Sequence, residues 1–122
     1  MEEKIKVLKV NPTYEPEVIE IKNDYRAIQQ EVKGCFDVVY PFRDNVCLYC
    51  NDEGKINGMD YNRPLHYESG AFDFIFGPFI IVGDKAGESI SLTDKQIEKY
   101  KEMFSLENMI VETLKHLRNG DI

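Results

Sequence analysis

Residues 72–84 read Phe-Asp-Phe-Ile-Phe-Gly-Pro-Phe-Ile-Ile-Val-Gly-Asp, and this apolar run decides the fold. Aromatic and β-branched residues in this density favour β-strands. Gly77-Pro78 interrupts the run, and a proline cannot donate a hydrogen bond to a strand ladder. The run therefore predicts an edge strand, a bulged strand, or two short strands separated at Gly77-Pro78.

The N-terminal half predicts four further strands around one short helix. A proline-containing turn joins the first two strands, and a hairpin across residues 41–45 joins the last two. Asn23 or Asp24 can cap the helix between the pairs, and Gly34 follows it as a stop signal. The four predicted strands are Ile5–Val10, Val18–Ile21, Cys35–Tyr40 and Val46–Cys50.

The C-terminal segment predicts a long or broken helix. Thr93-Asp-Lys-Gln96 has the form of a capping box, in which the first and last side chains satisfy each other's backbone N–H groups. Ser105 can restart the helix, and Gly120 ends it. Two apolar stripes at helical spacing follow the two starts, namely Ile97, Tyr100 and Phe104, then Leu106, Ile110, Leu114 and Leu117.

Together these elements predict an α+β fold with a mostly antiparallel sheet, one short helix in the N-terminal half and a long or broken C-terminal helix. Residues 1–104 are predicted to form a single α+β domain, and residues 105–122 a helical extension. An apolar stripe left exposed on such an extension favours association, so we expect a homodimer.

Composition excludes several classes of protein. The 122 residues are 43% hydrophobic and 30% charged, which is typical of a globular protein. No window approaches the roughly 18 apolar residues that a membrane span requires, and the N-terminus lacks the features of a secretory signal. The net charge of −7 argues against nucleic-acid binding, which depends on cationic surface. We expect a cytoplasmic protein with neither a membrane nor a nucleic-acid partner.

The cysteines predict neither a metal site nor a cofactor site. There are three of them, an odd number that does not suggest a disulfide framework. Cys47-Leu-Tyr-Cys50 lies in a predicted strand, where residues three apart point to opposite faces. A zinc site would require four ligands, and no histidine stands at ligand spacing. Small buried apolar residues are the better interpretation.

Residues 51–70 are rich in Asn, Asp and Gly and are predicted to be a loop, the first place to seek a site. Pro64 stiffens the backbone next to Arg63, whose guanidinium suits two-pronged recognition of a carboxylate or phosphate. The alternative is structural: a turn capped by Asn62, an internal salt bridge of Arg63, and aromatic side chains in the core. The predicted ligand-binding residues are Tyr61, Asn62, Arg63, His66 and Tyr67.

No catalytic motif is present in the sequence. Neither His66 nor His116 has a neighbouring Ser, Cys or carboxylate in a nucleophile–base pattern, so we predict no catalytic residue. His66 is nevertheless a candidate acid–base group, which keeps open a small hydrolase that uses His66 with Asp60 or Glu68.

Four motifs carry a family resemblance over about residues 7–104, namely Glu53-Gly54-Lys55, Asn62-Arg63, the 77–84 strand, and Ser-Leu-Thr-Asp-Lys-Gln-Ile-Glu-Lys-Tyr at 91–100. In this order they resemble a family of small proteins of unknown function that is typical of bacteriophages and other mobile elements. The chain departs from the family pattern at residues 67–72 and in its C-terminal extension.

The resemblance implies a setting rather than a chemistry, because the family has no activity to transfer. It implies an accessory phage-type protein that counters antiviral defence in the bacterial host cell. Our leading hypothesis is sequestration of a nucleotide-derived signal without turnover at the 51–70 loop. The alternatives are a protein–protein inhibitor that presents its acidic surface to a host defence enzyme, and the small hydrolase described above.

Overall fold

The computed structural model describes residues Glu3–Asp121 and contains eight strands and three helices over that range. Runs of antiparallel strands, with one helix after the second strand and two helices at the C-terminal end, confirm the predicted α+β class. In chain order they are β1 (Lys4–Val10), β2 (Glu17–Lys22), α1 (Tyr25–Val32), β3 (Phe36–Val39), β4 (Val46–Asn51), β5 (Tyr61–His66), β6 (Phe72–Phe76), β7 (Phe79–Lys85), β8 (Glu88–Ile90), α2 (Asp94–Met103) and α3 (Leu106–Arg118).

Strand β7 lies at the centre of the main sheet. The strand order is β2-β1-β7-β4-β3, β8 pairs with β7, and every pairing is antiparallel. Phe79 and Ile81 of β7 point into one core with α2, whereas Ile80 and Val82 point into a second core with α1. Because both faces of β7 are covered, its sequence is continuously apolar instead of alternating.

The prediction that residues 51–70 form a loop is wrong for residues 61–66. Residues 61–66 form β5, which pairs antiparallel with β6 in a separate two-stranded sheet. The sequence conceals this strand because it contains Pro64 and because its register shifts between Tyr61 and Arg63, which breaks the alternation of apolar and polar residues. Pairing with β6 makes these residues a strand. Leu65 of β5 and Ile75 of β6 then pack into the core that the main sheet shares with α2.

Gly77-Pro78 separates two strands that belong to different sheets, so the two-strand alternative of the sequence is the one observed. Gly77 has φ +87°, a backbone conformation that favours glycine, and its N–H donates to the carbonyl oxygen of Asp60 at 2.8 Å. A Cβ at this position would lie 2.5 Å from Sδ of Met59. The glycine therefore lets the chain leave β6 and enter the main sheet.

The predicted helix caps are confirmed, with one correction. Asp24 caps α1, and Thr93 and Gln96 form the complete capping box of α2. The helix breaks at Phe104, and Ser105 caps α3. The residue in the left-handed conformation at the end of α1 is Lys33 (φ 62°), not Gly34. No helix within the described residues is long and apolar enough to cross a membrane.

Cys47 and Cys50 lie on opposite faces of β4, as the strand geometry predicts. Cys47 belongs to the core under α1, and Cys50 packs against the core under α2. Burial raises the pKa of each thiol to about 11, which disfavours the reactive thiolate. Cys35 is exposed, and all three cysteines are free.

Asp44, between β3 and β4, ties that turn to α2. Its carboxylate accepts hydrogen bonds from Oη of Tyr100 at 2.8 Å and Nε2 of Gln96 at 3.2 Å. Burial by itself raises the pKa of Asp44, but these bonds, the backbone N–H of Asn45 and the charge of Lys99 outweigh it, so the pKa lies below 3.8. The charged form is therefore favoured by folding.

We expect Asp44→Asn to lower the free energy of unfolding at pH 7 by about 1 kcal/mol, because Tyr100 and Gln96 lose a charged acceptor. A lowered folded-state pKa means that this stability is present above the unfolded pKa of about 4 and is lost as the pH falls below it. Urea unfolding should therefore separate the variant from the wild type at pH 7 and bring them together near pH 3. Glu98→Gln, on the exposed side of α2, is the control. A constant difference at both pH values would contradict this role.

Candidate functional site: the cleft beside the C-terminal helix

A cleft of about 510 Å³ lies between β5, the end of α2 and the inner side of α3. Its size is within the roughly 300–1,000 Å³ that small-molecule sites occupy. Polar and apolar residues share its lining in equal number. The polar ones are Arg63, His66, Glu68, Lys99, Asn108 and Glu112, and the others are Phe42, Pro64, Tyr67, Met103, Phe104 and Met109.

Arg63 is fully buried at the inner end of the cleft, although the sequence predicted a ligand-facing residue on a loop. Its Nε donates to the carbonyl oxygen of Phe104 at 2.9 Å, where α2 ends, and its Nη2 donates to the carbonyl oxygen of Tyr14. Nη1 donates to both oxygens of Asn62. All three nitrogens of the guanidinium thus donate hydrogen bonds, and these bonds join β5, α2 and the β1–β2 turn.

The partners of Arg63 are backbone and amide oxygens, so they differ from the salt bridge that the sequence alternative proposed. Burial lowers the pKa of Arg63, while the nearby carboxylate of Glu15 favours its charged form. A cation at the C-terminal end of α2 also faces the negative end of the helix dipole. Within residues 3–121, no buried side-chain nitrogen or oxygen lacks a hydrogen-bond partner. The structure therefore gives Arg63 a clear structural function.

Asn62 and Tyr61 do not line the cleft. Asn62 is 1% exposed, and its Nδ2 donates to the carbonyl oxygens of Val10 and Gly77, both at 2.9 Å. Oη of Tyr61 is 2.9 Å from Oγ1 of Thr113 in α3, and burial raises the pKa of its phenol. Of the five predicted ligand-binding residues, the structure brings Arg63, His66 and Tyr67 to the cleft.

His66 meets His116, a residue that the sequence did not connect to it. Their Nε2 atoms are 2.8 Å apart, and the two ring planes are nearly parallel, at 11° to each other, with centroids 5.0 Å apart. Nδ1 of His116 is 3.0 Å from Oδ2 of Asp121. Because a carboxylate only accepts, Nδ1 of a neutral His116 donates to Asp121, its Nε2 accepts, and Nε2 of His66 donates.

The sequence does not reveal the contacts that link His66, His116 and Asp121, because the two histidines are 50 positions apart. Oε2 of Glu112 is 4.0 Å from Nε2 of His66, whereas the carboxylate of Glu68 accepts a hydrogen bond from the backbone N–H of Arg43. Among the described residues, no group of three or more His, Cys, Asp or Glu side chains could hold a metal ion. The arrangement can orient a proton donor and acceptor at His66, at the edge of the cleft.

Lys99, Phe42 and Tyr67 supply the remaining chemistry of the cleft. Lys99 extends from α2 with 55% of its side chain exposed, 4.0 Å from the carboxylate of Asp44. Phe42 stacks on Tyr100 with ring centroids 5.2 Å apart, which fixes its orientation. Tyr67 is half-buried against the main core, and burial raises the pKa of its phenol. The cleft thus offers two aromatic walls and an exposed ammonium group.

Residues 5–105 match a protein family described as a domain of unknown function (DUF3846). The chain belongs to this family. Neither the curated proteins nor the solved structures contain a significant match to it. The resemblance to a family of unknown function, which the four sequence motifs indicated, is therefore confirmed at that level.

The DUF3846 match ends at Ser105, one residue before α3 begins. The wall of the cleft formed by Phe42, Arg63, Tyr67 and Lys99 lies inside the matched range, and the wall formed by α3 lies beyond it. Asn108, Met109 and Glu112 contribute that outer wall. The cleft of this chain is therefore completed by a helix that follows the DUF3846 match.

Proposed function

We propose that this DUF3846 protein binds a small nucleotide-derived molecule in the cleft and sequesters it without turnover. In this proposal it is a phage-type accessory protein that acts in the bacterial cytoplasm and counters host antiviral defence. The observation that carries the proposal is the combination, in one cleft of about 510 Å³, of two aromatic walls with a cationic side chain.

The lining favours a nucleotide with few phosphates. Phe42 and Tyr67 offer flat surfaces on which a base can stack. Lys99 offers a point charge for one phosphate, while the carboxylates of Glu68 and Glu112 would repel further negative charge. The same carboxylates accept hydrogen bonds from amino and hydroxyl groups, such as those of a base or a ribose.

Binding without turnover is supported by the way the strongest polar groups are used. Arg63, the residue best suited to stabilise a transferring phosphoryl group, donates its hydrogen bonds inside the protein. No Ser, Thr or Cys stands among the residues that line the cleft, so it offers none of these nucleophiles next to His66. The lining favours contact and enclosure over covalent chemistry.

We expect Lys99→Ala to weaken binding of the nucleotide about tenfold, because one charge-assisted contact to phosphate is lost. Isothermal titration calorimetry with a panel of cyclic dinucleotides and cyclic ADP-ribose isomers would identify the ligand and measure the change. Lys101→Ala is the matched control, since Lys101 is an exposed residue of the same helix and does not line the cleft.

The same panel separates sequestration from its alternatives. Recovery of intact ligand after heat denaturation of the complex supports sequestration. Equal losses of affinity in the Lys99 and Lys101 variants would exclude the cleft as the binding site. No retention of any panel member would contradict the nucleotide proposal and favour the protein–protein inhibitor, whose acidic surface carries the net charge of −7.

A small hydrolase is the second candidate, and the contact between His66 and His116 favours it. Asp121 orients His116, and His116 orients His66, in the manner of a base that is held by a third group. The partners are thus His116 and Asp121 instead of the Asp60 or Glu68 considered from the sequence. A chemically changed product that disappears in His66→Ala would establish this candidate over sequestration.

We also propose that the protein is a homodimer assembled through α3. Ile110, Leu114 and Leu117 are about half exposed on one side of this helix. Exposed apolar side chains in such a row favour association, because their burial against a partner removes apolar surface from water. Light scattering over a range of micromolar concentrations measures the mass directly.

A further inference from the structure

The two sides of α3 have different surroundings. On the inner side, His116 is buried, Thr113 contacts Tyr61, and Met109 lines the cleft. On the outer side, Ile110, Leu114 and Leu117 are 52%, 52% and 51% exposed. Their spacings of four and three residues place them in one row on the helix. Nothing among residues 3–121 covers that row.

Charged residues of opposite sign stand at the two ends of this row. Glu107 lies in the first turn of α3 and Arg118 in the last turn, and both are exposed. Glu107 precedes Ile110 by three residues, and Arg118 follows Leu114 by four, so both charges share the outer side with the apolar row. The row is therefore acidic at its start and basic at its end.

We propose that two copies of α3 pack antiparallel through their outer sides, about a twofold axis that crosses the helix midway between residues 112 and 113 along its length, with Glu107 beside Arg118 of the partner subunit. This arrangement rests on the proposed homodimer and specifies its geometry. In the antiparallel register, the acidic end of each copy meets the basic end of the other, which gives two such contacts in the dimer. A parallel arrangement would instead place Glu107 beside Glu107 and Arg118 beside Arg118.

The same register also pairs two of the exposed apolar residues, Val111 and Leu114. Along the helix, Glu107 and Arg118 are equally far from the axis, and so are Val111 and Leu114. Val111 of each copy therefore faces Leu114 of the other copy across the axis. Val111 is 45% exposed and Leu114 is 52% exposed, so the pair removes apolar surface at the centre. A face whose two halves complement each other is suited to a second copy of the same chain.

The interface is small, which sets the expected concentration range. A helix of 13 residues is about 20 Å long, so a single helix pair buries less than the roughly 800 Å² per partner of a standard interface. We therefore expect a reversible dimer in the micromolar range. Sedimentation equilibrium is suited to such an association.

A charge exchange tests the arrangement. We expect Glu107→Arg and Arg118→Glu, each alone, to raise the dimer dissociation constant about tenfold, because each creates two like-charge contacts across the axis. The double variant should return the dissociation constant to within about threefold of the wild type, because the opposite charges meet again. Glu98→Arg, on the exposed side of α2, changes the net charge by the same amount as Glu107→Arg and is the control for that variant.

Helix stability cannot account for this pattern. Each single variant places the wrong charge at an end of α3, and the double variant does so at both ends. The melting temperature should therefore fall further in the double variant, while its association recovers. Opposite trends in the two measurements are specific to contact between two copies.

Two outcomes would overturn the inference, and they are distinguishable. A wild-type protein that stays monomeric up to hundreds of micromolar would overturn the homodimer together with its geometry. The antiparallel register alone would be overturned if the single charge changes left the dimer dissociation constant unchanged, or if the double variant did not restore it. Leu114→Asp separates these cases further, since a dimer that survives it does not use this side of α3.

Discussion

Arg63→Met should lower the free energy of unfolding by about 3–5 kcal/mol, the largest effect that we expect from one substitution in this protein. The methionine fills much of the same volume but donates no hydrogen bond. The buried carbonyl oxygen of Phe104 and the buried Oδ1 of Asn62 then lose their donor, as does the partly buried carbonyl oxygen of Tyr14, and each buried unsatisfied group costs about 1–3 kcal/mol. Urea unfolding followed by circular dichroism measures the loss.

Two controls isolate the cause. Arg26→Met removes the same side chain from an exposed position on α1 and should change stability by less than about 0.5 kcal/mol. Arg63→Lys keeps the positive charge but loses the forked geometry, so its free energy of unfolding should fall by most of the amount lost in Arg63→Met. If Arg63→Met instead weakened ligand binding and left stability within about 1 kcal/mol of the wild type, Arg63 would be a binding residue as the sequence predicted.

Gly54→Ala should cost about 3 kcal/mol, because the loop before β5 passes very close to the end of β6. A Cβ at Gly54 would lie 2.4 Å from the carbonyl oxygen of Phe76. Backbone is a poor neighbour for such a clash because it cannot rotate away. The Glu53-Gly54-Lys55 motif therefore contains a glycine for reasons of space. Thermal unfolding of the variant should show the decrease directly.

Gly58→Ala is the matched comparison for Gly54→Ala. Gly58 has φ +69°, and nothing lies within 4 Å of a Cβ built on it. Its replacement should cost only the strain of a left-handed alanine, about 1 kcal/mol. Equal losses at both glycines would show that backbone conformation, and not the contact with Phe76, determines the cost at Gly54.

The elements that the sequence predicted well are those with local causes. The capping box at Thr93 and Gln96 forms because both partners lie within one turn of helix. The run at 79–82 forms a strand because four consecutive apolar residues can be buried on both faces of a sheet. The break at Gly77-Pro78 follows from the missing N–H of proline and the positive φ of glycine.

The prediction failed where partners that are distant in the sequence decide the structure. Strand β5 contains a proline and a register shift, so its own sequence resembles a loop, and only pairing with β6 makes it a strand. Arg63 and Asn62 are residue types that suit a ligand site as well as they suit a buried structural position. The oxygen partners of Arg63, at Tyr14 and Phe104, are 49 and 41 positions away, and those of Asn62, at Val10 and Gly77, are 52 and 15 positions away, so no local pattern predicts them.

The sequence by itself determined the α+β class, the apolar strand at residues 79–82, the helix starts and the apolar row on α3, because each depends on neighbours within a few residues. Tertiary structure alone decided that Arg63 points inward, that His66 meets His116, and that a cleft opens between β5, α2 and α3. The physical reason is that a polar side chain prefers water unless the fold supplies its hydrogen-bond partners in the interior, and those partners are distant in the sequence.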